Sequence, residues 1–204
     1  MKKIGYLGGT FDPIHMGHLM LAEWSISAAN LDEVWFIPTG QSYMKTDHYV
    51  QPGAERLHMV QLAVEGNNKL KCLDMEILRQ GYTYTYETVE ELKAGYPDTE
   101  FYFIQGADCL FSLDSWKHPD RILQGCTVLA AVRGDADLNC LELKRRELLS
   151  KFGGNIIVLP FMQLSISSSV IRERVREGKS IRYMVPDGVL KYIEEKGFYR
   201  EKDR

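Results

Sequence analysis

The sequence predicts one α/β domain, in which a mainly parallel sheet carries helices on both faces, followed by a small helical C-terminal subdomain. Short apolar runs alternate with longer segments of helical period along the 204 residues, the pattern of strands that alternate with helices. The segments between the apolar runs are long enough for the crossover connections that parallel strands require. Two helical patterns, with no strand pattern after them, end the chain.

Each predicted element follows from the spacing of its apolar residues. The predicted strands cover residues 3–8, 33–39, 69–75, 101–106, 127–132 and 156–160. The predicted helices cover residues 17–30, 52–65, 84–94, 141–152, 168–177 and 186–196. The glycine pair Gly153 and Gly154 ends the fourth of these helices. Because ligands of such sheets collect at the carboxyl ends of the strands, the residues that follow the strands are the first candidates for a site.

The overall charge and the cysteines exclude several classes of protein. The net charge of −3 argues against non-specific binding to nucleic acid or anionic lipid. No apolar run is long enough to span a bilayer, and the N-terminal apolar stretch is too short for a signal peptide, so we expect a cytoplasmic protein. The cysteines are far apart and form no CxxC pair, which predicts reduced thiols; they are Cys72, Cys109, Cys126 and Cys140. A homo-oligomer is left open.

The segment that follows the first strand reads GGTFDPIHMGH, from Gly8 to His18. Its glycines let the backbone lie close to a ligand. His15 and His18 are three residues apart in the first turn of a helix, which places both imidazoles on one side, near a helix end that attracts anions. This arrangement suits a polyphosphate. The alternative is a plain strand–turn–helix junction with surface or capping histidines; zinc binding is disfavoured, because a third ligand and i,i+4 spacing are missing.

A second segment with the chemistry of phosphate binding lies near the C-terminus and reads ISSSVIR. Serines at a helix start serve as N-caps, and the exposed N–H groups there can bind phosphate. Arg172, one turn into this helix, carries a forked and permanently charged group that could reach the same oxygens. The alternative is an ordinary N-capped helix with a solvated arginine.

These two segments carry a resemblance to a known family. GGTFDPIHMGH resembles the phosphate-binding signature of the nucleotidyltransferase superfamily, and its full form looks like that of the bacterial nicotinate-mononucleotide adenylyltransferase family. ISSSVIR is similar to the second signature of that family. The resemblance implies a Rossmann-like core over residues 1–165 and a helical subdomain over 166–204 that completes the ATP site. It also implies AMP transfer from ATP to nicotinate mononucleotide, giving deamido-NAD and pyrophosphate, with Mg²⁺ arriving on the ATP.

The resemblance also implies roles for individual residues. The residues expected to hold and neutralise the phosphates are His15, His18, Lys45 and Arg172. The residues expected to bind ATP are Gly8, Gly9, Thr10, Phe11, Gly17, Gly106, Asp108, Arg133, Ile166, Ser168 and Ser169. Those expected to bind the mononucleotide are Asp12, Thr85, Trp116 and Lys117, with the indole stacked on the pyridine ring.

Several alternatives stay open beside this hypothesis. Tyr43 and Met44 precede Lys45 where the family has a P-x-x-K element, so Lys45 or a neighbour supplies the cation of this loop. Arg56 either supports the site or forms a surface ion pair. The chain could transfer a nucleotide to another phosphate, such as phosphopantetheine, or it could be a non-catalytic nucleotide sensor. A tRNA synthetase is disfavoured, because the chain is short and acidic and lacks a KMSKS loop.

Overall fold

A six-stranded sheet forms the centre of the molecule. The structure is a computed structural model and describes residues 1–42, 50–133, 138–162 and 165–200. The strands of the main sheet are β1 (Lys2–Gly9), β2 (Glu33–Pro38), β4 (Leu70–Cys72), β6 (Thr99–Gly106), β7 (Thr127–Arg133) and β8 (Asn155–Phe161); β3 (Gln41–Ser42) and β5 (Tyr82–Thr83) form a separate short pair.

The strand order of the main sheet is β4-β2-β1-β6-β7-β8, and every neighbouring pair is parallel. The chain therefore starts in the middle, proceeds outward through β2 and β4, and then crosses back to β6 on the other side of β1. This reversal creates a crevice between the carboxyl ends of β1 and β6, where doubly wound sheets bind their ligands. The predicted parallel sheet is confirmed.

Helices cover both faces of this sheet. They are α1 (Met16–Ala29), α2 (Gly53–Val64), α3 (Met75–Leu78), α4 (Thr85–Gly95), α5 (Pro119–Gly125), α6 (Leu138–Phe152), α7 (Ser168–Arg176) and α8 (Asp187–Lys196). Alternating strand residues bury themselves in two separate clusters: Val34 and Phe36 pack in the cluster of α1, α2, α7 and α8, whereas Trp35 and Ile37 pack in the cluster of α4, α5 and α6. Strands with both faces buried read as continuous apolar runs, which is why the sequence pattern identified them.

Every strand and helix predicted from the sequence is present, with ends that differ by a few residues. The sequence pattern missed the four-residue helix α3, the short pair β3–β5 and helix α5. It also missed two 3₁₀ turns, Ala107–Phe111 and Leu113–Ser115, which fill the connection after β6. These elements are too short to show a helical or strand period of their own.

The C-terminal helices share a core with the first half of the chain. Ile171 of α7 and Val189 and Ile193 of α8 belong to the same buried cluster as α1 and α2. The backbone N–H of Met16, the first residue of α1, donates to the Met184 carbonyl oxygen at 2.8 Å. The region predicted as a helical subdomain therefore packs directly against the start of the first helix.

All four cysteines are free thiols, as the sequence predicted. Burial raises the pKa of Cys72 and of Cys126 to about 12, so both stay protonated at neutral pH. Within the residues that the structure describes, no helix is both long and apolar enough to cross a membrane.

The glycine pair after α6 provides a test of the fold. Both glycines have a positive φ, 71° at Gly153 and 82° at Gly154. A Cβ on Gly153 would meet nothing within 4 Å, whereas one on Gly154 would lie 2.1 Å from the Leu123 carbonyl oxygen. We expect Gly153→Ala to lower the free energy of unfolding by about 1 kcal/mol, from backbone strain alone. Gly154→Ala should cost about 3 kcal/mol or more, since the backbone of α5 must also move. Urea unfolding measures both, and equal losses would contradict this account of the packing.

Candidate nucleotide-binding site

Two stacked imidazoles lie at the junction between β1 and α1. His15 is the extended residue just before the helix, and His18 lies in its first turn. Their ring centroids are 3.7 Å apart with an interplanar angle of 22°. The His15 backbone N–H donates to Nδ1 of His18 at 3.2 Å. Because Nδ1 of His18 is an acceptor, the ring proton of neutral His18 sits on Nε2.

Gly17, between the two histidines, keeps these rings together. A Cβ on Gly17 would lie 3.0 Å from Nδ1 and 3.1 Å from Cε1 of His15, so only glycine leaves the His15 ring where it is. The His-x-Gly-His spacing is therefore a packing requirement of the stacked pair. Sequence analysis expected Gly17 to contact ATP directly; the structure adds this steric role.

Phe11 supports His18 from the other side. Its side chain is buried, and its ring meets the His18 ring edge to face at a centroid distance of 5.0 Å. A Cβ on Gly9 would lie 3.0 Å from the Phe11 ring, so the second glycine of the signature makes room for this phenylalanine. Contact of Phe11 with ATP stays a prediction, and the observed contacts are those of a support beneath His18.

The late serine-arginine helix meets this loop, as the sequence hypothesis requires. Nη1 of Arg172 donates to the backbone carbonyl of Asp12 at 2.6 Å. The Ser168 hydroxyl donates to the Pro13 carbonyl at 2.9 Å. Ser167 caps α7, accepting from the Val170 backbone N–H. The two signature segments, far apart in sequence, are thereby joined by side-chain bonds to two consecutive carbonyls.

Asp12 itself is a buried anchor. Its side chain is 3% exposed, and Oδ1 accepts from the Tyr199 hydroxyl at 2.6 Å while Oδ2 accepts from the Gln51 backbone N–H at 3.4 Å. These contacts give Asp12 a structural role. Its predicted contact with the mononucleotide is not visible in this geometry and stays a prediction.

Arg56 holds the same loop from α2. Its Nη1 donates to the Thr10 carbonyl at 2.7 Å and its Nε to the Gln51 carbonyl at 2.9 Å. The side chain is 4% exposed, and burial lowers the pKa of Arg56 while the nearby Asp12 charge acts in the opposite direction. The alternative of a surface ion pair is therefore wrong. Arg56 supports the loop from beneath.

A second group of predicted residues lies around the 3₁₀ turns and the start of α4. Trp116 is half-buried, donates from Nε1 to the Ser112 hydroxyl at 3.2 Å, and has its ring centroid 6.2 Å from that of Phe103. Nζ of Lys117 lies 3.9 Å from the centroid of the Tyr84 ring. Tyr84 is the residue before α4, whose first residue is Thr85. The Lys117 ammonium group therefore lies over the residue that precedes α4, and contact of Thr85 and Lys117 with the mononucleotide stays a prediction.

Phe103 connects the two groups. It stacks on Tyr6 of β1 at a centroid distance of 4.7 Å, and a Cβ on Gly8 would lie 3.9 Å from its ring. Gly8 and Trp116 therefore both lie near one aromatic side chain. The sequence predicts a site at the carboxyl ends of the strands, and Phe103 links the glycine loop after β1 to the indole there.

The remaining predicted residues lie at the same edge of the sheet or outside the described residues. Gly106 ends β6, Asp108 is exposed in the turn that follows, Ile166 and Ser169 flank the start of α7, and Arg133 ends β7. The Arg133 side chain and all of Lys45 lie outside the residues that the structure describes. The choice of cation in that loop therefore stays open.

Sequence analysis missed the residues that hold the loop from a distance. Tyr199, Gln51 and Met184 each bond to the segment from Asp12 to Met16. No local motif marks them. In the described part of the chain, no group of three or more His, Cys, Asp or Glu side chains could hold a metal ion.

Gly17 offers a test of the stacked pair. Gly17 and Gly188 are both the second residue of a helix, but a Cβ on Gly188 would meet Leu62 at an ordinary 3.6 Å. We expect Gly188→Ala to raise the free energy of unfolding by about 0.5 kcal/mol, the usual gain when alanine replaces glycine in a helix. Gly17→Ala should show no gain, because the His15 ring must move. Proton NMR should show displaced His15 and His18 imidazole signals only for Gly17→Ala. Unchanged signals would contradict the steric role.

Comparison with known proteins agrees with this geometry. The model of the Cytidylyltransferase-like family matches residues 6–174. A protein of Lachnoclostridium phytofermentans named "Probable nicotinate-nucleotide adenylyltransferase" is 41% identical over 98% of this chain and 100% of its own length. A protein of the same name from Dehalococcoides mccartyi is 43% identical over 98% of both chains.

Solved structures show the same fold. The Plasmodium falciparum nicotinic acid mononucleotide adenylyltransferase complexed with NaAD is 23% identical, covers 98% of both chains and has a TM-score of 0.77. A putative nicotinate-nucleotide adenylyltransferase from Vibrio parahaemolyticus has a TM-score of 0.65. The Rossmann-like fold expected from the sequence is confirmed. With relatives at this identity along its whole length, the chain belongs to the nicotinate-nucleotide adenylyltransferase family of cytidylyltransferase-like nucleotidyltransferases.

Proposed function

We propose that this enzyme transfers AMP from ATP to nicotinate mononucleotide, releasing pyrophosphate and forming deamido-NAD. The observation that carries the proposal is the junction of the two signature segments, in which Arg172 and Ser168 bond to the carbonyls of Asp12 and Pro13, next to His15 and His18. The names of the full-length relatives support the same reaction. In this proposal residues 1–165 form the core, and residues 166–204 complete the ATP site.

The reaction needs position and charge more than proton transfer. The phosphate of the mononucleotide is already ionised, so it attacks the α-phosphorus of ATP without a general base. The bond from the α-phosphorus to the oxygen that bridges to the β-phosphate breaks, and pyrophosphate leaves with the electron pair. Nε2–H of His18 would donate to the phosphate chain. A guanidinium carries five N–H groups, so Arg172 can bond to Asp12 and still donate to phosphate oxygens. Catalysis of this kind is positioning and electrostatic stabilisation.

Mg²⁺ fits this proposal as an ion that arrives on the triphosphate. Mg²⁺ keeps several waters and binds substrate phosphates, so it does not require a cage of protein carboxylates. The free thiols fit a cytoplasmic location, where ATP is also found.

The acceptor end of the crevice supports nicotinate as the ring. The Trp116 indole offers a face for a flat ring, and the charge of Lys117 and the N-terminus of α4 at Thr85 would favour a carboxylate on that ring. The other contacts proposed for the two substrates are those predicted from the sequence.

Pyrophosphate release with a panel of acceptors tests the function directly. With ATP and Mg²⁺, nicotinate mononucleotide should give the highest kcat/KM, nicotinamide mononucleotide less, and phosphopantetheine none. Highest activity with phosphopantetheine would indicate the alternative transferase, and no release with any acceptor would indicate a nucleotide sensor.

The phosphate residues should affect turnover strongly. We expect His18→Ala and Arg172→Ala each to lower kcat by roughly 10² to 10³, the usual loss when one charge-stabilising donor is removed. Arg176→Ala is the matched control, because Arg176 is the exposed last residue of the same helix as Arg172. Steady-state pyrophosphate release measures all three. Near-normal turnover of a site variant, in a folded protein, would refute the role of that residue.

The Trp116 indole should affect binding of the mononucleotide and not binding of ATP. Since aromatic stacking on a base is worth about 1–3 kcal/mol, Trp116→Leu should raise KM for the mononucleotide about tenfold and leave KM for ATP unchanged. Trp24→Leu is the control, because Trp24 is 40% exposed on α1 and contacts Phe161. Steady-state kinetics with each substrate varied in turn decides, and an equal change in both KM values for Trp116→Leu would contradict ring stacking.

A further inference from the structure

The last described turn of the chain contacts the loop between β1 and α1 through the hydroxyl of Tyr199. Helix α8 ends at Gly197, whose φ is 67°, and the Phe198 backbone N–H bonds back to the Ile193 carbonyl at 3.1 Å. This turn directs Tyr199 inward, where it is 7% exposed and its hydroxyl donates to Oδ1 of Asp12 at 2.6 Å. Tyr199 and Asp12 are 187 residues apart in sequence.

Asp12 links Tyr199 to Arg172 through hydrogen bonds. Its carboxylate is held by Tyr199 and by the Gln51 N–H, while its backbone carbonyl accepts from Arg172. Because both carboxylate oxygens are bonded to fixed partners, the held side chain restricts the backbone movements open to Asp12. The Asp12 carbonyl that Arg172 meets is thereby kept in a narrower range of positions.

We propose that Tyr199 is a positioning residue for the nucleotidyl transfer. Through Asp12 it holds in place both Arg172 and the loop that carries His15 and His18. The inference rests on the proposed function for its kinetic consequence. Two arginines hold the same stretch of backbone: Arg56 bonds to the Thr10 carbonyl, two residues before Asp12, and Arg172 bonds to the Asp12 carbonyl. Tyr199 supplies the one bond to the Asp12 carboxylate that comes from the C-terminal turn.

The chemistry of Tyr199 suits a permanent donor. Burial and the adjacent Asp12 carboxylate raise the pKa of Tyr199 well above its ordinary value, so its hydroxyl stays protonated and keeps donating throughout the working pH range. A phenylalanine at this position would keep the shape of the side chain and lose only the hydroxyl. Tyr199→Phe therefore removes the hydrogen bond to Asp12 and leaves the packing.

Tyr199→Phe compared with Tyr192→Phe tests the proposal. Tyr192 is a matched control, because it also lies at the C-terminal end and its hydroxyl donates to Glu55 of α2 and not to Asp12. We expect Tyr199→Phe to lower kcat about tenfold to a hundredfold, as a displaced catalytic group does, with little change in KM. Tyr192→Phe should stay within about twofold of the parent enzyme. All rates are measured well below the thermal unfolding transition, so that only folded protein is compared.

A double-mutant cycle separates positioning through Asp12 from a general structural effect. If Tyr199 acts through Asp12, the double variant Asp12→Asn with Tyr199→Phe should turn over no more slowly than the slower single variant. Multiplied losses in the double variant would mean that Tyr199 acts by another route and would overturn the proposal.

Imidazole NMR gives a readout that does not depend on activity. Tyr199→Phe should displace the His15 and His18 signals, whereas Tyr192→Phe should displace that of His58, whose ring centroid is 4.5 Å from that of Tyr192. If the parent enzyme releases no pyrophosphate, the proposed function fails and these signals still decide the inference. Should Tyr199→Phe not fold, Asp12→Asn is the second variant, because it keeps the volume and weakens the acceptor. Unmoved His15 and His18 signals in the folded variant overturn the proposal.

Discussion

The site depends on the carbonyls of Asp12 and Pro13, which receive bonds from Arg172 and Ser168. These carbonyls belong to the loop between β1 and α1, and their donors come from α7, near the other end of the chain. A single network of hydrogen bonds therefore joins the loop that carries the histidines to the C-terminal helices.

The buried Asp12 carboxylate is compensated by neighbouring cations and hydrogen-bond donors. Asp12 is almost completely buried, and such a charge is stable only when it is paired and hydrogen-bonded. Arg56 and Arg172 lie next to it, and Tyr199 and the Gln51 N–H bond to its oxygens. Removing one partner of a buried charge typically costs about 3–5 kcal/mol. The same residues thus stabilise the fold and orient the cation that would meet a triphosphate, so the enzyme cannot relax the site without loss of stability.

The parts of the fold and of the site that depend on local sequence patterns could be predicted from the sequence. The strands read as apolar runs because both their faces are buried, and the histidine signature could be interpreted because its glycines and imidazoles act within a few residues of one another. The burial of Arg56 could not be predicted, since it depends on the packing of α2 beneath the loop. The hydrogen bond from Tyr199 to Asp12 could not be predicted either, because the two residues lie at opposite ends of the chain. Helix α5 escaped prediction because its seven residues hold only two buried apolar side chains, Ile122 and Leu123.

In the proposed function, the first turn of α1 indicates why imidazoles would have to add to the helix end in binding the phosphates. A helix start offers its unpaired N–H groups to an anion. Here the Met16 N–H already donates to Met184 and the His18 N–H to the His15 carbonyl, so among the described contacts Gly17 is the residue of this turn whose N–H is still open to a ligand. One backbone donor is weak support for a triphosphate. In the proposed function, the ring proton of His18 and the guanidinium of Arg172 would supply further donors, and Gly17 is also the residue that makes room for the His15 ring.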